Sequence, residues 1–192
     1  MKKGYTMLEM LVVLFIIGLI LSISIPPFAN YFIKRLSLET HLRELVSVLR
    51  ATRQEAITRN VYVGITFDKN SDSSLRYRIY KDGNGNGIRK KDIQMKIDVP
   101  ITGYRRILFS EHIKLGIISK NIREPGTNKK IQNADDPIKF GNSNICSFSP
   151  LGASTPGSIY FTDGIKLQGV LRVYPTSGKV RILILKNGNW IE

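Results

Sequence analysis

Hydrophobic and polar positions along the chain fall into three regimes. From Met10 to Ile33 no side chain is charged, and most positions are Leu, Ile, Val, Phe or Met. A helix of about 20 apolar residues spans the hydrocarbon core of a bilayer, so this run is long enough to cross one. Pro26 removes a backbone donor and clashes with the preceding turn, which predicts a kink at Pro26-Pro27. Beyond it, Leu38, Leu42, Leu45, Leu49 and Ala56 recur at helical spacing, with Phe28, Tyr31 and Phe32 upstream. That pattern predicts an amphipathic helix with one apolar stripe, its other faces carrying Arg43, Glu44, Arg50, Arg53 and Glu55. It ends near Arg59-Asn60.

From Val61 the period changes to two. VYVGITF places Val61, Val63, Ile65 and Phe67 on one face, and DKNSDSS turns the chain into LRYRIYK. YRRILF, HIKLGII, ICSF, SIYF, GVLRVY and KVRILIL are further strand candidates, separated by Gly, Pro, Asn and Ser. Residues 121–144 are polar and read as a flexible loop. No internal repeat is present. The fold class is therefore α+β: a long N-terminal helix, its first half transmembrane and its second amphipathic, packed on a C-terminal antiparallel β domain of two small sheets or one strongly twisted sheet. The expected divisions are 5–27, 28–60 and 61–192, preceded by residues 1–4.

Charge and composition narrow the function. In 192 residues, Lys+Arg 29 against Asp+Glu 15 gives a net charge of +14 and a pI near 10.0. Such an excess favours anionic partners. One cysteine, Cys146, rules out an intrachain disulfide and a multi-cysteine metal site; flanked by Ile145 and Ser147, it reads as a buried structural thiol. The two histidines, His41 and His112, lie far apart in sequence. No nucleophile, acid–base or metal constellation stands out, so the expectation is a protein that is not an enzyme, with no cofactor and no metal. One stretch, DGNGNGIRKKD from Asp82 to Asp92, echoes the start of a calcium loop. That loop needs a bidentate carboxylate at its twelfth position; here Asp92 is at the eleventh, and Arg89, Lys90 and Lys91 crowd the place of the cation. Asn-Gly pairs are strong turn formers, so a turn is expected.

The first residues, MKKGYTMLEMLVVLFIIGLIL, raise a different question. Glu9 sits at the start of the apolar run, where an acid within a spanning helix costs up to about 2.5–3.5 kcal/mol. A cleaved secretory signal would carry a short apolar stretch and a small-x-small site, whereas Ile25-Pro26-Pro27-Phe28 follows here. A plain signal anchor, with Lys2 and Lys3 held in the cytoplasm, fits the length but leaves Glu9 unexplained. Nothing cationic lies within helical reach downstream, so its partner is a terminus, another chain or interfacial water.

KKGYTMLEMLVVLFIIGLILSISIP resembles the leader and N-terminal helix of type IV prepilins and type II secretion pseudopilins. The resemblance implies that prepilin peptidase cuts between Gly4 and Tyr5, that Tyr5 is then N-methylated, and that Glu9 pairs with the charged terminus of a neighbouring subunit. It also implies that Pro26 is the family's helix kink. Toward the other end, FSPLGASTPGSIYF and YPTSGKVRILIL resemble the minor-pilin group that includes the secretion pseudopilin GspH and the pilus protein FimT. The implied protein is a single-pass inner-membrane minor subunit with its C-terminal domain periplasmic. It assembles with other pilin or pseudopilin subunits into a type II secretion pseudopilus or a type IV pilus.

An alternative rests on the basic residues near the end. Alternation in Lys179–Leu185 puts Val180, Ile182 and Ile184 on one face and Lys179 and Arg181 on the other, where Arg172 and Lys186 join them across a hairpin turning at Pro175-Thr176-Ser177-Gly178. Some DNA-capturing members of the resembled group carry Gly-Arg-x-Arg here; this chain has Gly178-Lys179-Val180-Arg181. Lysine keeps the charge but loses the planar fork, so phosphate contact survives better than bidentate contact. The competing reading is a solvated basic strand face.

Overall fold

The computed structural model describes residues 4–69, 74–119, 121–127, 129–131 and 135–192, and within these the side chains of 23–28 and Lys69 lie outside the description. Helix α1 comprises Met7–Arg59. The chain divides into two compact units, Met1–Leu36 and Ser37–Glu192.

In the first unit the helical residues 7–22 expose their apolar side chains all round, from Met7 (90%) and Leu8 (74%) to Phe15 (66%) and Leu21 (50%). A helix that is hydrophobic on every side is stable only when something other than water surrounds it. Among the described residues, no helix is long and apolar enough to cross a membrane. The expected span of 5–27 takes in residues 23–27, whose side chains are outside the description, and the kink expected at Pro26 falls in the same stretch.

In the second unit the predicted stripe is the core. Leu38, Leu42, Leu45, Leu49 and Ala56 are all fully buried. They join Val63, Ile65 and Phe67 of β1 (Val63–Lys69) and Leu171 and Val173 of β9 (Gln168–Val173) in one apolar cluster. The helix stops at Arg59, where Asn60 takes a left-handed φ of 52°. Asparagine tolerates that conformation and so ends the helix at low cost.

Two antiparallel sheets pack on residues 37–59 of α1, one of the two arrangements the alternation allowed. The first runs β3-β2-β1-β7, with β4 also paired to β2; it comprises β2 (Ser74–Lys81), β3 (Val99–Pro100), β4 (Arg105–Leu108) and β7 (Ile145–Phe148) besides β1. The second runs β11-β10-β9-β8-β5, with β6 paired to β8. Its members are β5 (Lys114–Leu115), β6 (Ile138–Phe140), β8 (Gly157–Thr162), β10 (Val180–Lys186) and β11 (Asn189–Ile191) besides β9. A short helix, α2 (Lys90–Gln94), interrupts the first sheet's connections. The helix approaches β9 at Gly169, where a Cβ would stand 2.8 Å from Leu42 Cδ1 and 3.2 Å from Leu38 Cδ1. Only a residue without a side chain admits that contact.

Residues 121–144 depart from the expected flexible loop. Ile131, Ile138 and Phe140 are buried, and β6 lies within the stretch. Ile131 packs with Tyr160, Val170 and Leu183, joined by Ile117, Ile122 and Trp190, so this segment covers the second sheet's outer face. Trp190 Nε1 donates to the Arg123 carbonyl at 2.8 Å. Isolated apolar residues in a polar stretch thus make a second small core, which periodicity does not reveal.

Candidate functional site

At the N-terminal end, Tyr5 is 80% exposed, and Gly4 precedes the helix with nothing within 4 Å of where a Cβ would stand. The Glu9 backbone N–H donates to Thr6 Oγ1 at 3.2 Å. Thr6 is therefore the N-cap of α1, and Glu9 stands three residues on, the spacing of a capping box. This local role is legible in Thr6-x-x-Glu9, and the charge-pairing reading passed over it. An acid in the first turn is also favoured by the helix dipole. The cap satisfies the Glu9 backbone, not its carboxylate; among the described residues Glu9 enters no ion pair. The Thr6 cap and the helix dipole thus account for an acid in this first turn without engaging its carboxylate.

The basic residues near the other end separate into three situations. Arg172 and Arg181 face each other directly across the β9–β10 ladder, and both are engaged. Arg172 Nη1 donates to Ser158 Oγ at 2.9 Å; Arg181 Nη1 donates to Glu192 Oε2 at 3.0 Å, with its guanidinium 5.7 Å from the Tyr174 ring. Lys179 is exposed at the turn, where Gly178 adopts a φ of 59° against the Gly152 carbonyl. It lines two cavities: one of about 480 Å3 with Arg50, Arg53 and Gln54, the other of about 380 Å3 with Tyr174 and Arg181. Lys186 stands apart, at the β10–β11 turn opposite Asn189, five residues from Arg181 and so on the alternate face. Arg50 and Arg53 of α1, which the amphipathic pattern places off the apolar stripe, are brought beside Lys179 by the fold.

The Asp82 loop is organised by carboxylates and closes on itself. Asp82 is buried and accepts from Asn84 N and Gly85 N, each at 2.9 Å, on Oδ1 and from Gly87 N at 2.7 Å on Oδ2. Asp98, also buried, accepts from Gly83 N at 3.3 Å and Arg89 N at 3.0 Å. Backbone donors thus occupy the lone pairs that a calcium ion would need, and among the described residues no group of His, Cys, Asp or Glu has the arrangement to hold a metal. Cys146, fully buried in β7, has its thiol pushed up by burial and so stays protonated. His41 is half-buried beside the apolar stripe of α1. Its Nε2 accepts from Ser110 N at 3.1 Å, its ring meets Phe109 edge-on, and burial holds its pKa below the ordinary 6.5 against the raising effect of Glu44.

Comparison with known proteins adds the following. Residues 1–25 match the prokaryotic N-terminal methylation motif. Over 85 residues the chain is 34% identical to the pilin-like protein PilA1 of Thermus thermophilus, covering 44% of this chain; it spans about half (51%) of that relative's length. Among solved structures, the minor pseudopilin EpsH of the Vibrio cholerae type 2 secretion system aligns with a TM-score of 0.46 at 12% identity, over 76% of this chain and 94% of that one. The type IV minor pilin FimU of Pseudomonas aeruginosa aligns at 0.45 and 14% identity, over 84% and 97%. In its methylation motif and its pilin-like relative, the chain is similar to type IV pilins and pseudopilins at its N-terminal end.

Proposed function

We propose that this chain is a minor pilin or pseudopilin. Prepilin peptidase cuts it between Gly4 and Tyr5, and Tyr5 is N-methylated. The apolar helix holds it in the bacterial inner membrane with its β domain in the periplasm. It then enters a type II secretion pseudopilus or a type IV pilus through stacking of N-terminal helices. It is a structural subunit and catalyses nothing. The observation that carries the reading is the methylation motif, with Gly4 five residues before Glu9, leading into a helix whose apolar side chains are exposed on every side. Such a helix needs lipid first and other helices afterwards. With no ion pair among the described residues, the Glu9 carboxylate is available to a neighbour's new amino terminus in low dielectric. Intact mass measurement of the chain from cells with an active leader peptidase tests this. The expected result is loss of the first four residues and a gain of one methyl group. Gly4→Leu should retain the leader, whereas Glu9→Ala should be cleaved but fail to enter filaments. A wild-type chain that keeps its leader overturns the reading.

A second reading, a nucleic-acid receptor on the same scaffold, draws support from Lys179 lining two basic cavities with Arg50, Arg53 and Arg181. Retardation of short duplexes across a salt series tests it. Binding that survives Lys179→Ala combined with Arg181→Ala removes it.

A further inference from the structure

The stretch from Arg89 to Val99, which carries α2 and the start of β3, has two unlike sides. Its inner side is fixed. Ile93 and the preceding Ile88 pack on Tyr80 and Ile145. The Ile97 and Asp98 N–H groups donate to the Asp92 carbonyl at 2.9 and 3.2 Å, and the buried Asp98 carboxylate holds Gly83 N and Arg89 N. The backbone passes Gly83 so closely that a Cβ there would stand 2.1 Å from the Ile97 carbonyl oxygen. Val99 is then tied to Lys81 in the β2–β3 ladder.

Its outer side is apolar and cationic. Met95, Ile97 and Val99 are 58%, 38% and 46% exposed. Arg89, Lys90, Lys91 and Lys96 are exposed with them, and none of these four side chains has a partner among the described residues. The two carboxylates of the stretch, Asp92 and Asp98, are buried. Residues 74–119 are all described, so the charges of the stretch itself are fully counted. Held from beneath, the three apolar side chains cannot turn inward. Protein interfaces favour Arg and aromatic residues and are poor in Lys. Here three of the four cations are lysines, and none of the apolar residues is aromatic. Binding to nucleic-acid phosphates would leave the three apolar side chains in water. A bilayer surface uses both kinds of group: headgroup phosphates meet ammonium ions on long apolar stems, and the apolar side chains enter the boundary between headgroups and acyl chains.

We infer that the outer side of Arg89–Val99 docks the β domain on anionic lipid headgroups, an inference that rests on the reading above that the N-terminal helix holds the chain in a membrane. Tethering makes the docking step intramolecular, so a weak contact is enough to populate it. Each lysine close to an anionic surface should raise the docked population about fivefold.

The test uses the full chain reconstituted in vesicles of phosphatidylcholine, alone or mixed with phosphatidylglycerol. Hydrogen peroxide, an uncharged oxidant, converts exposed methionine to its sulfoxide, and peptide mass spectrometry follows each site. Met10, in the apolar helix, reports insertion; Met95 reports docking. Met95 should oxidise about threefold more slowly, or slower still, when phosphatidylglycerol is present, while Met10 is protected in both lipids. Lys90→Gln, Lys91→Gln and Lys96→Gln together should abolish that protection, as should raised salt. Ile97→Gln should weaken it with the lysines intact. In phosphatidylcholine alone these variants should oxidise at Met95 as wild type does, which shows that they are folded. Three results overturn the inference: the same Met95 rate in both lipids, protection that survives loss of the three lysines, or equal protection in phosphatidylcholine by added polyglutamate or oligothymidylate. The last would give the surface to a protein or a nucleic acid. An unprotected Met10 counts against the membrane anchor, and Met95 is read independently, so either reading can fail while the other stands.

Discussion

Replacing Gly169 by alanine puts a methyl group where the helix rests on β9. The built Cβ lies 2.8 Å from Leu42 Cδ1 and 3.2–3.3 Å from the two Leu38 methyls, and both leucines are fully buried. Leu42 must therefore shift inside a packed core, an overpacking cost of about 1–3 kcal/mol. Reduced freedom of the unfolded chain offsets about 0.4–1 kcal/mol of that. The expected net loss is about 1–2 kcal/mol. Leu42→Ala alone leaves a cavity and should cost about 2–5 kcal/mol. In the double variant the offending methyl is gone and the new one enters the vacated space, so Gly169→Ala should cost nothing or stabilise slightly there. The two changes should accordingly couple by at least about 1 kcal/mol. Urea unfolding of the micelle-bound chain, followed by the fluorescence of the single tryptophan Trp190, measures all four corners of the cycle. Additivity within about 0.5 kcal/mol would refute direct contact between Gly169 and the Leu42 stripe.

Two further outcomes are expected. His41 is held neutral in the folded chain, with its pKa below the 6.5 of the unfolded one, so its contribution is complete above about pH 6.5 and is lost as pH falls through the folded value. His41→Gln keeps an acceptor for Ser110 N–H but cannot titrate; the stability gap between wild type and variant should shrink on going from pH 7 to pH 5, and a constant gap would contradict this. Asp82→Ala strips the acceptor from three backbone N–H groups and should cost about 3 kcal/mol, on the scale of hydrogen bonds to a charged group. Added calcium should leave the wild-type thermal midpoint where it is, and a rise of several degrees would show that the loop takes a cation after all.

What could be read from the sequence was what repeats locally. Leu38, Leu42, Leu45 and Leu49 declare a buried helix face because the helical period is written into neighbouring residues, and Val63, Ile65 and Phe67 declare a strand in the same way. The three-residue strands β6 and β11 and the five-residue α2 escaped, since so few residues show no period. The cover over the second sheet escaped because Ile122 and Ile131 are single apolar residues in polar surroundings. Gly4 and Glu9, at the head of the apolar run, carried the resemblance to prepilins, whereas the capping residue Thr6 was passed over. Arg50 and Arg53 lie more than a hundred residues from Lys179. Such a grouping comes from tertiary pairing, so nothing in the local pattern announces it.

The sealed position of Cys146 has a practical consequence. Its sulfur sits in the middle of the β1–β7 ladder with no exposed surface, opposite Ile65, and remains in the unreactive thiol form. A cysteine introduced on any exposed strand or turn can then be labelled selectively in the folded wild-type background. Spectroscopic rulers could be attached pairwise to this subunit and its neighbours without first removing the native sulfur.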